Sequence, residues 1–198
     1  LTVDGGTIKL DGNYPTGTNN VALGNSALDS GSLTGGSNTA MGASSLYSNT
    51  TGNYNSAFGH ASLLYTTTGG YNTAIGKSSL QDNTTGGTNV ALGVCALKAN
   101  TTASNNTAVG YNSLCANTTG TYNTALGKSA LLLNSTGNYN TAVGKDALRA
   151  NTASNNVAVG YLSLCSNTTG CQNVVVGTCT MVNSTTARYN EVIGYVAG

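Results

Sequence analysis

Apolar and polar residues alternate along this chain in a pattern that repeats about every 17 positions. The phrase asparagine-threonine-alanine-apolar-glycine, with small variations, recurs with its glycine at Gly24, Gly42, Gly59, Gly76, Gly93, Gly110, Gly127, Gly144, Gly160, Gly177 and Gly194. The interval between successive glycines is the same in all but two cases, and each of those differs by a single position. Brief alternation bounded by turn-forming residues is typical of short β-strands. The pattern therefore predicts one structural unit written about eleven times.

Alignment on this glycine, the strand glycine, predicts which side chains are interior. A large apolar residue precedes it in every copy, and a leucine or methionine follows it by four positions in the first ten copies. We interpret both columns as interior. The residue two before the glycine is alanine in nine copies and valine in two. Because successive strand side chains point to opposite faces, we expect this small column to face outward and to be closely approached by another surface.

An asparagine stands four residues before the strand glycine in every copy. In stacked coils these amides are expected to hydrogen-bond to those above and below, at the strand spacing of about 4.8 Å. The predicted structural ladder comprises Asn20, Asn38, Asn55, Asn72, Asn89, Asn106, Asn123, Asn140, Asn156, Asn173 and Asn190. The other recurrent phrase, Asn-Thr-Thr-Gly, is typical of a turn.

The predicted fold is all-β: a β-solenoid, of the β-roll or β-helix type, with about eleven 17-residue coils of strand, turn, short strand and turn. Residues 1–19 are interpreted as a lead-in segment and N-terminal cap, and residues 20–198 as the repeat domain of a longer fibre. Because one such coil buries little apolar area against the entropy of ordering its backbone, we predict a coaxial homotrimer associated through the alanine column. A monomeric solenoid with internally packed alanines is the alternative.

The repeats resemble those of phage tail fibres, notably of marine cyanophages, in units such as Asn106-Thr-Ala-Val-Gly-Tyr-Asn-Ser-Leu-Cys-Ala-Asn-Thr-Thr-Gly120. They are also similar to the head repeats of trimeric autotransporter adhesins, whose strand phrase resembles residues 140–144, although the unit of those adhesins is shorter than the repeat of this chain. The resemblance covers essentially the whole chain. It implies a trimeric fibre that presents or contacts a host surface.

Charge and composition argue against several other classes. Only 7% of the residues are charged and the net charge is +1, so no basic patch is available for nucleic acid. No apolar run approaches the length that a membrane-spanning helix needs, so no membrane insertion is expected. The acidic residues are scattered over different coils, and His60 is the single histidine. We therefore predict no enzyme, no catalytic residues, no cofactor and no metal site.

The cysteines are Cys95, Cys115, Cys165, Cys171 and Cys179, an odd number without a Cys-x-x-Cys pair, and we expect free thiols. Asn-x-Ser/Thr sequons at Asn49, Asn83, Asn100, Asn117, Asn134, Asn167 and Asn183 are interpreted as products of the turn phrase rather than glycan sites.

The expected function is that of a structural rod in a viral tail fibre or surface adhesin, located on the virion or at the extracellular surface, that presents or contributes to host-surface attachment. A host-surface glycan or protein is the expected partner, contacted by a tyrosine column five before the strand glycine: Tyr54, Tyr71, Tyr122, Tyr139 and Tyr189. Rings that merely cover the turn are the alternative. An ice-binding solenoid is the alternative function, with threonine ranks formed by pairs such as Thr50 and Thr51.

Overall fold

The computed structural model describes residues 17–196. Most of the predicted lead-in segment and cap, residues 1–16, lies outside the described part, as do residues 197 and 198. Within it, eleven strands of three residues each run parallel in one sheet, in chain order. They are β1 (Val21–Leu23), β2 (Thr39–Met41), β3 (Ser56–Phe58), β4 (Thr73–Ile75), β5 (Val90–Leu92), β6 (Thr107–Val109), β7 (Thr124–Leu126), β8 (Thr141–Val143), β9 (Val157–Val159), β10 (Val174–Val176) and β11 (Glu191–Ile193).

Each strand pairs with the equivalent residues of the next coil, so the repeats are in register. Ala74 pairs with Ala91, for example, and Ala91 with Ala108. The predicted all-β solenoid with one coil for each sequence repeat is confirmed, its strands are parallel, and the described part of the chain contains no helix. The predicted second strand of each coil is not formed as a strand in this part of the chain. Backbone hydrogen bonds still connect the coils there, as from Leu80 N–H to the Ala96 carbonyl at 3.0 Å.

The interior was predicted correctly for only one of its two apolar columns. Leucines four after the strand glycine, such as Leu80 and Leu114, are fully buried. The alanine column is also fully buried from Ala40 to Ala158, whereas Ile75 and Leu92 from the large apolar column are about 40% exposed. The alanine column therefore faces inward, and the predicted interface through it is wrong.

The thinness of the coil explains this inversion. Strand side chains alternate, so the middle residue of each three-residue strand points inward and its two neighbours point outward. The opposite wall of the coil already contributes a leucine to the narrow interior, and the remaining space is filled by a small residue, alanine in most coils and valine at Val175. Small residues also occupy the column next to the leucines, where Ser79 and Ala96 are fully buried. The core is consequently one leucine wide, and small side chains complete it.

The strand glycine is required by backbone geometry. Gly110 has φ +131°, and a Cβ atom there would lie 2.7 Å from the carbonyl carbon of Gly127 in the next coil. A side chain at this position would therefore collide with backbone. Non-glycine residues take the left-handed conformation at three other places in a typical coil, as Tyr71, Ser78 and Leu80 do with φ of 59°, 56° and 49°. The sharp corners of the coil depend on these residues.

Candidate functional site

The predicted asparagine ladder is buried from Asn38 to Asn173, half-buried at Asn20 and Asn190, and hydrogen-bonded along the rod. The side chain of Asn89 accepts a bond from the backbone N–H of Asn106 at 3.0 Å, and Asn106 Nδ2 donates to the Gly120 carbonyl at 2.8 Å. The same pattern recurs from coil to coil, with backbone N–H groups as the regular donors. Amide-to-amide bonds, which the sequence suggested as the main contact, form at some coils, as from Asn72 to Asn55 at 3.1 Å. The ladder thus connects side chains to backbone as well as to each other.

A second asparagine ladder lies seven residues after the strand glycine, and sequence reasoning missed it. Asn117 Nδ2 donates to Asn100 Oδ1 at 2.9 Å and to the Gly120 carbonyl at 3.0 Å. Its fully buried asparagines are Asn49, Asn83, Asn100, Asn117, Asn134, Asn151 and Asn167, with Thr66 in the same column. The regular spacing of these asparagines, equal to that of the strand glycines, was the available signal. All the sequons noted above except Asn183 belong to this ladder, and their amides are inaccessible to glycosylation in the folded chain.

The candidate tyrosine column is exposed, and neighbouring rings stack. The ring centroids of Tyr54 and Tyr71 are 4.9 Å apart, and those of Tyr122 and Tyr139 are 5.1 Å apart. The two rings of each pair, or dyad, are inclined by 22° and 4° respectively. Tyr189 is 72% exposed and lies three coils beyond Tyr139. The structure therefore brings four of the five candidate residues together as two dyads and leaves the fifth apart.

The outward sheet face consists of the first and third residues of the eleven strands. Its third-position column includes Met41, Ile75, Leu92 and Leu126, all between 38% and 47% exposed. Val21, Val90 and Val174 in the first-position column are exposed to a similar degree. Glu191 is the single charged residue of this face, in the last strand. The third-position column is apolar in all eleven strands, whereas six of the first-position residues are threonine or serine.

Charged residues accompany tyrosines at the corner after the strand glycine. Lys128 lies over the Tyr111 ring at 5.8 Å, and Lys145 lies over the Tyr161 ring at 5.0 Å. Asp146 pairs with Lys145 at 3.2 Å and approaches Arg149 at 3.8 Å. The hydrogen bond from Lys145 to Asp146 is the main cause that raises the pKa of Lys145. These contacts place both lysines over aromatic rings and pair Lys145 and Arg149 with the Asp146 carboxylate.

Groups with catalytic potential are not concentrated in one place. His60 is exposed at the same corner, and Asp29, Asp82 and Asp146 belong to different coils. In the described residues, no cluster of three or more histidine, cysteine or acidic side chains could hold a metal ion.

The two threonines of a pair at the turn differ in hydrogen bonding and, in most pairs, in exposure. The first member of a pair bonds to the next coil, as Thr84 Oγ1 does to the Thr101 carbonyl at 3.0 Å. The second member is exposed in the predicted pairs, which gives a row of hydroxyls formed by Thr51, Thr68, Thr85, Thr102, Thr119 and Thr169. Each pair therefore contributes one exposed threonine to this row.

All five cysteines are free thiols of intermediate exposure. Burial is the main cause that raises the pKa of Cys115 and also that of Cys165. Because a raised pKa keeps a thiol protonated near neutral pH, neither residue has the thiolate character of a reactive cysteine.

Comparison with protein-family models, curated proteins and solved structures finds no match to this chain. No helix among the described residues is long and apolar enough to cross a membrane. What the geometry defines is therefore a class of fold, a parallel β-solenoid with exposed aromatic and apolar columns.

Proposed function

We propose that this chain is a rigid rod segment of a viral tail fibre or surface adhesin that presents, or contributes to, a host-binding surface. The observation that carries the proposal is the unbroken register of eleven parallel strands, which turns every outer column into a straight row along the rod. At about 4.8 Å per coil, the rod is on the order of 50 Å long. The resemblance of its repeats to fibre sequences supports the same role, on the virion or at the extracellular surface.

The fibre is proposed to be a coaxial homotrimer in which copies of this chain meet through the outward sheet face. This face replaces the alanine column as the interface, because the alanines are buried within each chain. Its two columns of eleven residues lie within the roughly 20–30 residues that each partner contributes to a stable interface. The face is apolar or hydroxylated except for Glu191, so little charge would be desolvated on association.

Sedimentation of the purified chain at micromolar concentration tests the assembly. The expected mass is that of three chains. Leu126→Glu, on the outward sheet face, is expected to reduce the mass to one chain while β-structure persists, because three carboxylates would converge at the interface. Ala125→Glu, one residue away but inside the coil, should abolish folding. Asn112→Asp is the control for added charge, because Asp146 occupies the equivalent place in another coil.

The outcomes separate the parts of this proposal. A wild-type monomer with intact β-structure would refute the fibre assembly, and a dimer would refute the threefold arrangement alone. An unchanged trimer in Leu126→Glu would exclude the outward sheet face as the interface.

Ice binding is the second candidate, and the exposed threonine row favours it. Thermal hysteresis is its test. Clear hysteresis that disappears when Thr85 and Thr102 are changed to bulky residues would support ice binding over attachment.

A further inference from the structure

The tyrosine column contains a gap of two coils between its dyads. Tyr71 ends the first dyad and Tyr122 begins the second, with Thr88 and Asn105 at the equivalent positions between them. Since each coil advances by about 4.8 Å, the two rings are about 14 Å apart. The centroid spacings of 4.9 Å and 5.1 Å within the dyads fit one ring per coil. These four residues therefore define a slot in which two layers of ring-sized groups fit.

The walls of the slot are aromatic faces. In each dyad, one face of each ring is covered by its partner, and the other face is not. The coils next to the dyads carry Thr88 and Asn105 in this column, so neither Tyr71 nor Tyr122 has an aromatic partner on the side away from its dyad. The two tyrosines are 63% and 53% exposed, so a ligand can reach both walls from solvent.

The floor of the slot is polar and fixed. Thr88 Oγ1 lies 2.7 Å from Asn105 Oδ1 and 2.6 Å from the Gly87 carbonyl, and these contacts hold the two polar side chains in place. Gly70 and Gly87 precede Tyr71 and Thr88 in the chain, so no side chain obstructs the adjacent backbone. The slot thus combines apolar walls with hydrogen-bonding groups between them.

No charged side chain belongs to the segments that form the slot, residues 70–73, 87–90, 104–107 and 121–124. A carboxylated or sulfated ligand would find no cation there to offset its desolvation. A neutral saccharide matches the slot better, because its C–H faces pack on aromatic rings while its hydroxyls exchange hydrogen bonds with an amide and a hydroxyl.

We propose that Tyr71, Thr88, Asn105 and Tyr122 form a binding site for a neutral saccharide of a host surface. This inference rests on the proposed attachment function for its biological role and identifies the class of ligand. The site belongs to one chain, so its test is separate from that of the trimer.

The wild-type chain is applied to an array of neutral oligosaccharides that also includes sialylated and sulfated glycans. The saccharide bound best is then titrated by saturation-transfer NMR against the variants, with the sedimented mass of each sample recorded. Tyr71→Ala and Tyr122→Ala are each expected to weaken binding about three- to tenfold, the loss of one ring contact. Tyr65→Ala, which removes an exposed ring outside the slot, is the control and should bind normally.

The most informative variant combines Thr88→Tyr with Asn105→Tyr. The backbone at these positions has φ of 56° and 61°, close to the 57–59° of the tyrosines in this column, so two further rings should continue the stack without disturbing the fold. Saccharide binding is expected to be lost while circular dichroism is unchanged. Failure of the array to detect any neutral saccharide, a preference for acidic glycans, or equal binding by the filled variant would overturn the proposal. A monomer that still binds the saccharide would refute only the trimer.

Discussion

Asn106 in the first asparagine ladder offers a direct measure of what holds neighbouring coils together. Its Oδ1 accepts bonds from the backbone N–H of Asn123 at 2.9 Å and from Asn123 Nδ2 at 3.2 Å. Its Nδ2 donates to the Gly120 carbonyl at 2.8 Å. Asn106→Ala would remove all three bonds from the buried middle of the rod.

The expected cost follows from which groups keep another partner. The Gly120 carbonyl retains its bond from Asn117, and Asn123 Nδ2 retains its bond to the Gly137 carbonyl. The backbone N–H of Asn123 is left buried without an acceptor, which costs about 1–3 kcal/mol, and the lost bond to Gly120 adds about 1 kcal/mol. Asn106→Ala should therefore destabilise the chain by about 2–4 kcal/mol.

Urea unfolding followed by circular dichroism, at one fixed protein concentration, measures this loss. With a slope of about 2–3 kcal/mol per molar urea, the midpoint should fall by about 1 M. The control is Asn112→Ser, since serine occupies this column in other coils at nearly the same φ, as in Ser78 and Ser129. Asn138 is unsuitable as a control, because its Oδ1 accepts bonds from Thr121 N–H and Oγ1. Equal midpoints for Asn106→Ala and Asn112→Ser would refute the idea that the ladder stabilises the rod.

Two further predictions concern the backbone and the thiols. Asn112→Val should destabilise the chain by about 1–2 kcal/mol, because Asn112 has a left-handed φ of 54°, whereas Thr107→Val in β6 should be nearly neutral; equal thermal midpoints would contradict this. In a variant that retains only Cys115, the alkylation rate should still be rising at about pH 9, because burial raises the pKa of this thiol and the thiolate reacts. A rate that levels off by pH 8 would be inconsistent with the raised pKa.

The repeat length, the strand positions and the buried leucines could be predicted from the sequence because they are periodic. Each strand coincides with the three residues before a strand glycine, as β6 does before Gly110. The positions of the first asparagine ladder followed from the same spacing, whereas the second ladder was missed although it shares that spacing. Periodicity assigns each residue to a column, and this assignment does not depend on the cross-section of the coil.

The inside and outside of the strand could not be predicted from that information. Alternation permits either face to point inward, and the choice depends on how much space the opposite wall leaves. Large residues such as Leu92 looked like core because apolar side chains are usually buried, but Leu97 and its equivalents already fill the interior. The stacking of the tyrosine dyads could not be predicted for a different reason. The sequence shows that Tyr54 and Tyr71 occupy consecutive coils, but whether their rings stack depends on side-chain orientation, which the column does not give.

The inner and outer columns are under different physical constraints, and this difference connects the fold to the proposed attachment role. Inside, nearly every coil has the same alanine, leucine and asparagine, with exceptions such as Val175, Met181 and Thr66, because packing and buried hydrogen bonds restrict the choice. Outside, the position occupied by Tyr71 is threonine in the next coil and asparagine in the one after it. Exposed substitutions away from caps and buried bonds usually change stability by less than about 0.5 kcal/mol. A rod of this construction can therefore acquire or lose a ligand-binding slot one coil at a time while its scaffold is preserved.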